Sequence, residues 1–163
     1  FSEDPGRGIR PEFETFEKTA ERRSIPLFSI DTRTEAAQLA PLSSIGAFDF
    51  LITVSWRFLV PEHVFSKAGI GAINAHRGRL PEYAGAEPVK RALKKGDREI
   101  VLSVHEMARE LDAGRVLVEK KHPVDYDKTL DLDENVERIK GEMLPLYPAA
   151  VIEAINSILL SKR

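Results

Sequence analysis

The sequence predicts an α/β fold, a mainly parallel sheet flanked by helices. Short β-rich runs alternate with stretches of helical period through most of the 163 residues, the order that builds strand–helix–strand units. The runs at 48–54 and 69–75 are apolar or small and read as buried strands. Their carboxyl ends lead into Trp56–Leu59 and into the Pro- and Gly-punctuated segment 73–85, and ligands collect beyond such strand ends.

In chain order, Pro5, Gly6 and Gly8 mark an opening loop. Pro11 suits a first helical turn, and Phe13, Phe16 and Ala20 give the apolar stripe of a helix reaching Arg23. A short strand is expected at 26–30, and a brief helix capped by Asp31 or Thr34 through Leu39. After the strand at 48–54, Pro61 starts a helix to about Lys67. The strand at 69–75 is followed by a helix at 87–95 that Gly96 stops. Strands follow at 100–107 and 115–124, joined by an acidic turn, Glu110 to Gly114. Asp133 is the expected N-cap of the last helical region. Its apolar positions (Val136, Ile139, Met143, then Val151, Ile155, Leu159) fit one long helix or two, broken near Pro145 and Pro148. No repeat or interdomain linker divides the chain, so one domain over 1–163 is expected.

The net charge of −2 gives no reason to expect nucleic-acid or membrane binding. No apolar run is long enough to span a bilayer. The chain has no cysteine, which excludes disulfides and thiol catalysis and fits a cytoplasmic setting. His63, His76, His105 and His122 lack metal-ligand spacing, so no metal is expected. His105 is read as a packing residue in its strand. The lysines and arginine of 90–95 are read as a solvated helix face.

Asn74 and His76 lie two residues apart at a strand end and project from one face. An amide donor beside an imidazole suits a reaction in which an oxyanion develops and a proton moves near neutral pH. Asp112 adds a carboxylate from a turn before another strand. Asn74, His76 and Asp112 are expected to converge.

Asn74-x-His76, Leu80-Pro81-x-Tyr83-x-Gly85-x-x-Pro88, Ser103-x-His105 and Leu111-Asp112-x-Gly114 stand in the order and rough spacing of the folate-dependent formyltransferases, which the chain resembles over nearly its whole length. That family includes glycinamide ribonucleotide formyltransferase, the amino-terminal domain of methionyl-tRNA formyltransferase and sugar-nucleotide N-formyltransferases. The resemblance implies a Rossmann-like fold and formyl transfer from 10-formyltetrahydrofolate, as co-substrate, to the amine of a small acceptor, a phosphoribosyl amine or an amino-sugar nucleotide. It implies Asn74 and a protonated His76 as oxyanion donors. Asp112 would raise the pKa of His76 and act as general base. The folate would be gripped by Arg57, Phe58 and Leu59, by Arg109, Glu110 and Leu111, and by a pocket lined by Trp56. Alternatives are a formyltetrahydrofolate hydrolase, a methionyl-tRNA formyltransferase-like protein and a non-catalytic folate-binding domain. Monomer and homodimer are both left open.

The sequence departs from the family pattern in three places. The family's first strand and its glycine-containing turn have no counterpart ahead of Phe1, so a missing or reduced first strand is expected. Arg77-Gly78 replaces a Pro-Ser or Gly-Ser pair, and Ala84 stands where arginine is usual before Gly85.

Overall fold

The computed structural model describes residues 11–28, 44–56 and 59–162. The chain divides into two compact units, Phe1–Gly46 and Ala47–Arg163. In the first, helix α1 spans Pro11–Arg23 and carries Arg22 and Arg23 in its last turn, where cations oppose the negative end of the helix dipole. Residues 25–28 form no regular element. The rest of the strand expected at 26–30, and the brief helix after it, lie outside the described residues.

The second unit is built on a sheet of four strands, β1 (Phe48–Val54), β2 (Ala68–His76), β3 (Glu99–Glu106) and β4 (Val116–Pro123), in the order β1-β2-β3-β4. Among the described residues the sheet is mixed, not mainly parallel. β1 and β2 run parallel, whereas β2–β3 and β3–β4 are antiparallel. Apolar patterning marks a strand but not its direction. The link from β3 to β4, residues 107–115, holds no helix to carry the chain back across the sheet, so β4 returns antiparallel.

Helix α2 (Glu62–Phe65) lies between β1 and β2. Helix α3 (Pro88–Lys95) starts with proline in its first turn and ends at Gly96, whose φ of 83° makes the left-handed cap that glycine adopts without steric cost. Helix α4 (Leu132–Glu142) is capped two residues earlier than expected. The Asp131 carboxylate accepts from the Glu134 N–H, and the Glu134 side chain accepts from the Asp131 N–H. Helix α5 (Leu146–Ser161) follows at a bend of 54°, which settles the two-helix alternative. No single described helix is long and apolar enough to cross a membrane.

β3 is buried along nearly its whole length. α5 lies across β2, β3 and β4, and α3 packs against α4. Ile73, Leu102, Ile139, Ala150 and Ile158 join one apolar core, each larger side chain contributing about 1.5–3 kcal/mol by leaving water. Gly71 lets α5 approach the sheet, since a Cβ there would stand 3.1 Å from Ile158. This packing holds the carboxyl ends of β1 and β2 side by side.

Candidate active site

Strand register builds the site. Thr53 of β1 pairs with Asn74 of β2, which in turn pairs with His105 of β3. Cross-strand partners project on one face, so three polar side chains form a row. The Thr53 hydroxyl donates to Asn74 Oδ1 at 2.8 Å. That fixes the amide, turning its NH₂ towards His105 Nε2 at 3.1 Å and Asp112 Oδ1 at 3.3 Å. His105 Nδ1 lies 2.8 Å from the Glu106 carbonyl, which can only accept, so Nδ1 carries the hydrogen and Nε2 offers its lone pair to Asn74.

Asp112 descends on this row from the 107–115 loop. Its φ of 52° is left-handed, a conformation aspartate tolerates better than most residues. Gly114 is required behind it, because a Cβ there would fall 1.7 Å from the Glu106 carbonyl oxygen. The Asp112 side chain is 6% exposed. One oxygen faces Asn74 and His105, the latter at 3.4 Å. The other accepts from the Gly85 N–H at 2.9 Å and lies 3.4 Å from His76 Nδ1. Burial pushes this carboxyl up. In the acid range where the carboxyl takes up its proton, contact with a protonated His105, the Gly85 N–H and the charge of a protonated His76 outweigh that and hold it below the ordinary aspartate value.

His76 Nε2 donates to the Tyr83 carbonyl at 2.8 Å. Burial lowers its pKa most, and the Tyr83 hydrogen bond and Asp112 raise it by less. Asp112 therefore acts on His76 in the expected direction, but burial wins, and the resting imidazole is neutral rather than protonated. The 3.4 Å separation fits this state, since a charge-assisted bond would close to about 2.7–2.9 Å. Gly78 packs against the ring, and a Cβ there would come within 2.8 Å of His76 Nε2 and of Tyr83 Cβ. Ser103 holds the Gly78 carbonyl at 2.8 Å. The unusual glycine after Arg77 thus has a packing cause.

A cavity of about 510 Å³ opens over the row. Asn74, His105 and Asp112 line it, whereas His76 does not. His76 stands behind Asp112 rather than on the cavity wall, and its lowered pKa leaves the resting imidazole without the charge expected of an oxyanion donor. Of the residues expected to grip the folate, Trp56, Leu59, Glu110 and Leu111 line the cavity. Arg109 does not; its guanidinium pairs with Glu62 at 2.6 Å. Arg57 and Phe58 lie outside the described residues. Leu59 and Leu111 are exposed apolar side chains on this wall. The buried Trp56 Nε1 has no hydrogen-bond partner among the described residues. Apolar walls with one orphaned donor suit a flat heteroaromatic ring carrying polar edges.

The burial of His76 sets a pH dependence of stability. An unfolded histidine takes up a proton at about pH 6.5. The folded His76 resists it, so below that pH the unfolded chain binds more protons and stability falls. The Asp112 contribution is present above its unfolded value of about 3.9 and is lost only as pH drops through its lower folded value. Between pH 7 and 5 His76 is therefore the member of the pair that titrates. Urea unfolding of the wild type loses stability across this window, and H76Q loses less. An equal loss in both proteins would contradict this reading.

The sequence pattern of the formyl transferase family matches residues 11–151. The methionyl-tRNA formyltransferase of Thermotoga sp. is 30% identical over 139 residues, covering 85% of this chain and 44% of that protein. That of Nitrosomonas europaea is 31% identical, covering 85% and 43%. The chain spans about half the length of the curated relatives it matches. Among solved structures, phosphoribosylglycinamide formyltransferase from Streptococcus pneumoniae aligns with a TM-score of 0.60 at 22% identity, covering 83% of this chain and 78% of that one. At that identity the likeness is one of fold, and it supports the α/β, Rossmann-like assignment.

Proposed function

This chain belongs to the formyl transferase family, and from that premise we propose that it transfers a formyl group from 10-formyltetrahydrofolate to the amine of a small acceptor. The observation that carries the reading is the buried Asp112 carboxylate, bracketed by Asn74, His76 and the Gly85 N–H on the wall of a cavity. Trp56, Leu59, Glu110 and Leu111, which line that cavity, would hold the folate, which supplies the activated formyl group.

Asn74 serves the carbonyl oxygen. As the amine nitrogen bonds to the formyl carbon, negative charge builds on that oxygen, and the Asn74 NH₂ turns to it from its long 3.3 Å contact with Asp112. Asp112 accepts the proton that the amine sheds, directly or through one water. His76 Nδ1, 3.4 Å behind the carboxylate, shares that proton and spreads the charge. When the bond between the formyl carbon and the folate nitrogen breaks, the same proton passes to the departing nitrogen, so the pair ends as it began. His105 contributes by fixing the Asn74 amide, and it has no free ring N–H for the oxyanion.

The test is turnover of 10-formyltetrahydrofolate by the purified chain, followed as tetrahydrofolate formation, with no amine and then with phosphoribosyl amines, amino-sugar nucleotides and methionyl-tRNA. Turnover that needs a small amine is the expected result. Dependence on the tRNA would move the acceptor to that class. Formate release without any amine would indicate a hydrolase, and folate binding without turnover a binding domain. Either of the last two overturns transferase activity.

A further inference from the structure

Arg77 follows the last residue of β2 and lines the cavity beside Asn74 and Asp112. Four arginines of this unit face carboxylates, Arg79 with Glu99, Arg109 with Glu62, Arg115 with Glu106 and Arg138 with Glu142, and Arg91 is taken up by the backbone carbonyls of Glu82, Ala84 and Ala86. Arg77 has no carboxylate partner among the described residues. It is nevertheless held in place. One Nη2 hydrogen goes to the Ser55 hydroxyl at 2.8 Å, and its guanidinium carbon lies 6.0 Å from the centroid of the Tyr147 ring. Ser55 lies 3.5 Å from the Tyr147 hydroxyl and has a left-handed φ of 52°. A guanidinium has five N–H donors, so most remain for a ligand. Fixing its plane in advance lowers the entropy lost when it binds an oxyanion.

The other charged groups on the cavity wall narrow the choice. Glu87, Glu110 and Asp112 are acidic, and the remaining cation, Lys140, is engaged by Glu137 at 2.7 Å. An anionic group entering the cavity is repelled from the acidic residues and drawn to Arg77. An amine is drawn the opposite way, towards Asp112.

We infer that Arg77 is a specificity-determining residue that binds an oxyanion group of the acceptor, so that the substrate carries an amine and a phosphate or carboxylate on one small molecule. The inference rests on the transfer chemistry proposed above and adds the side chain that would read the acceptor's anionic group. It gives Arg77 a cause in ligand binding, just as packing explains Gly78.

Two measurements test it. The first compares wild type, R77Q and R77K at saturating 10-formyltetrahydrofolate, with amines that differ only in carrying a phosphate, a carboxylate or a hydroxyl. R77Q raises KM for the preferred anionic amine about 10- to 100-fold, the usual cost of losing a hydrogen bond to a charged group. It leaves the neutral amine and the folate KM unchanged, and R77K recovers part of the loss. Equal effects on charged and neutral amines overturn the inference. So does an effect confined to the folate KM that vanishes with a donor lacking the glutamate tail, because Arg77 would then serve the folate carboxylates.

The second measurement needs no turnover, so it separates failure of this inference from failure of the transferase reading. Trp56 is the chain's single tryptophan and lines the same cavity. Titrating its fluorescence with inorganic phosphate and with acetate gives a saturable change in wild type, weakened about tenfold or more in R77Q. The stronger of the two anions identifies phosphate or carboxylate as the group bound. A wild type indifferent to both, or an R77Q response equal to wild type, overturns the inference even in a protein that transfers formyl groups.

Discussion

Replacing Asp112 with asparagine lowers formyl transfer by about 10²–10⁴, the contribution expected of a positioned proton acceptor. Aspartate and asparagine are nearly the same size, so the loss is one of chemistry more than packing. The carboxylate takes hydrogen bonds on both oxygens, from Asn74 on one side and the Gly85 N–H on the other. An amide accepts on one side only and presents NH₂ to a donor on the other. That mismatch costs about 1–3 kcal/mol, offset in part because a buried charge no longer needs support. D112N should therefore fold, with a modest drop in unfolding free energy and a large drop in kcat. Steady-state kinetics beside urea unfolding separates the two. The pH profile is the sharper check. Wild-type rate falls on the acid side as the Asp112–His76 pair fills with protons, and D112N loses that limb. Turnover of D112N within about threefold of wild type would remove Asp112 from the chemistry, since a general base contributes far more.

The sequence carried the site further than it carried the sheet. β1 is legible as Phe48–Val54 because an apolar, β-branched run has few alternatives. The helix before Gly96 is legible because Pro88 and Gly96 punctuate both its ends. Strand direction is not legible, since alternation is the same read either way, and the β3–β4 return is visible only in space. Asp131 could have been found as the cap from Asp131-x-x-Glu134, a reciprocal pair that Asp133 lacks. In sequence His105 looks like a packing residue, because its role depends on register. Opposite Asn74 it becomes the acceptor that orients the amide, and nothing in a single strand reveals what lies opposite. Arg109 sits beside the functional loop in sequence, but its partner Glu62 is 47 positions away. His76 shows the limit of type-based reasoning. A histidine two residues from an asparagine looks like a cavity cation, yet its burial and the Tyr83 carbonyl make it a neutral neighbour of Asp112.

Asn74 is the other position where a single substitution should collapse turnover, and its effect has a different signature. N74A removes the donor aimed at the developing oxyanion, a loss of about 10²–10³ in kcat. It also orphans three partners at once: the Thr53 hydroxyl loses its acceptor, His105 Nε2 loses its donor, and Asp112 keeps fewer hydrogen bonds. Each unsatisfied buried group costs about 1–3 kcal/mol, so N74A, unlike D112N, should pair its kinetic loss with clear destabilisation. T53V separates the two effects. It leaves the Asn74 amide in place but removes the hydrogen bond that fixes which end faces the cavity. The amide can then turn its oxygen towards the oxyanion for part of the time, and kcat should fall by less than in N74A while the folate KM holds. The order N74A, then T53V, then wild type in rising kcat ties catalysis to amide orientation. N74A turning over as fast as wild type would mean that the oxyanion is stabilised elsewhere in the cavity and that the polar row serves structure alone.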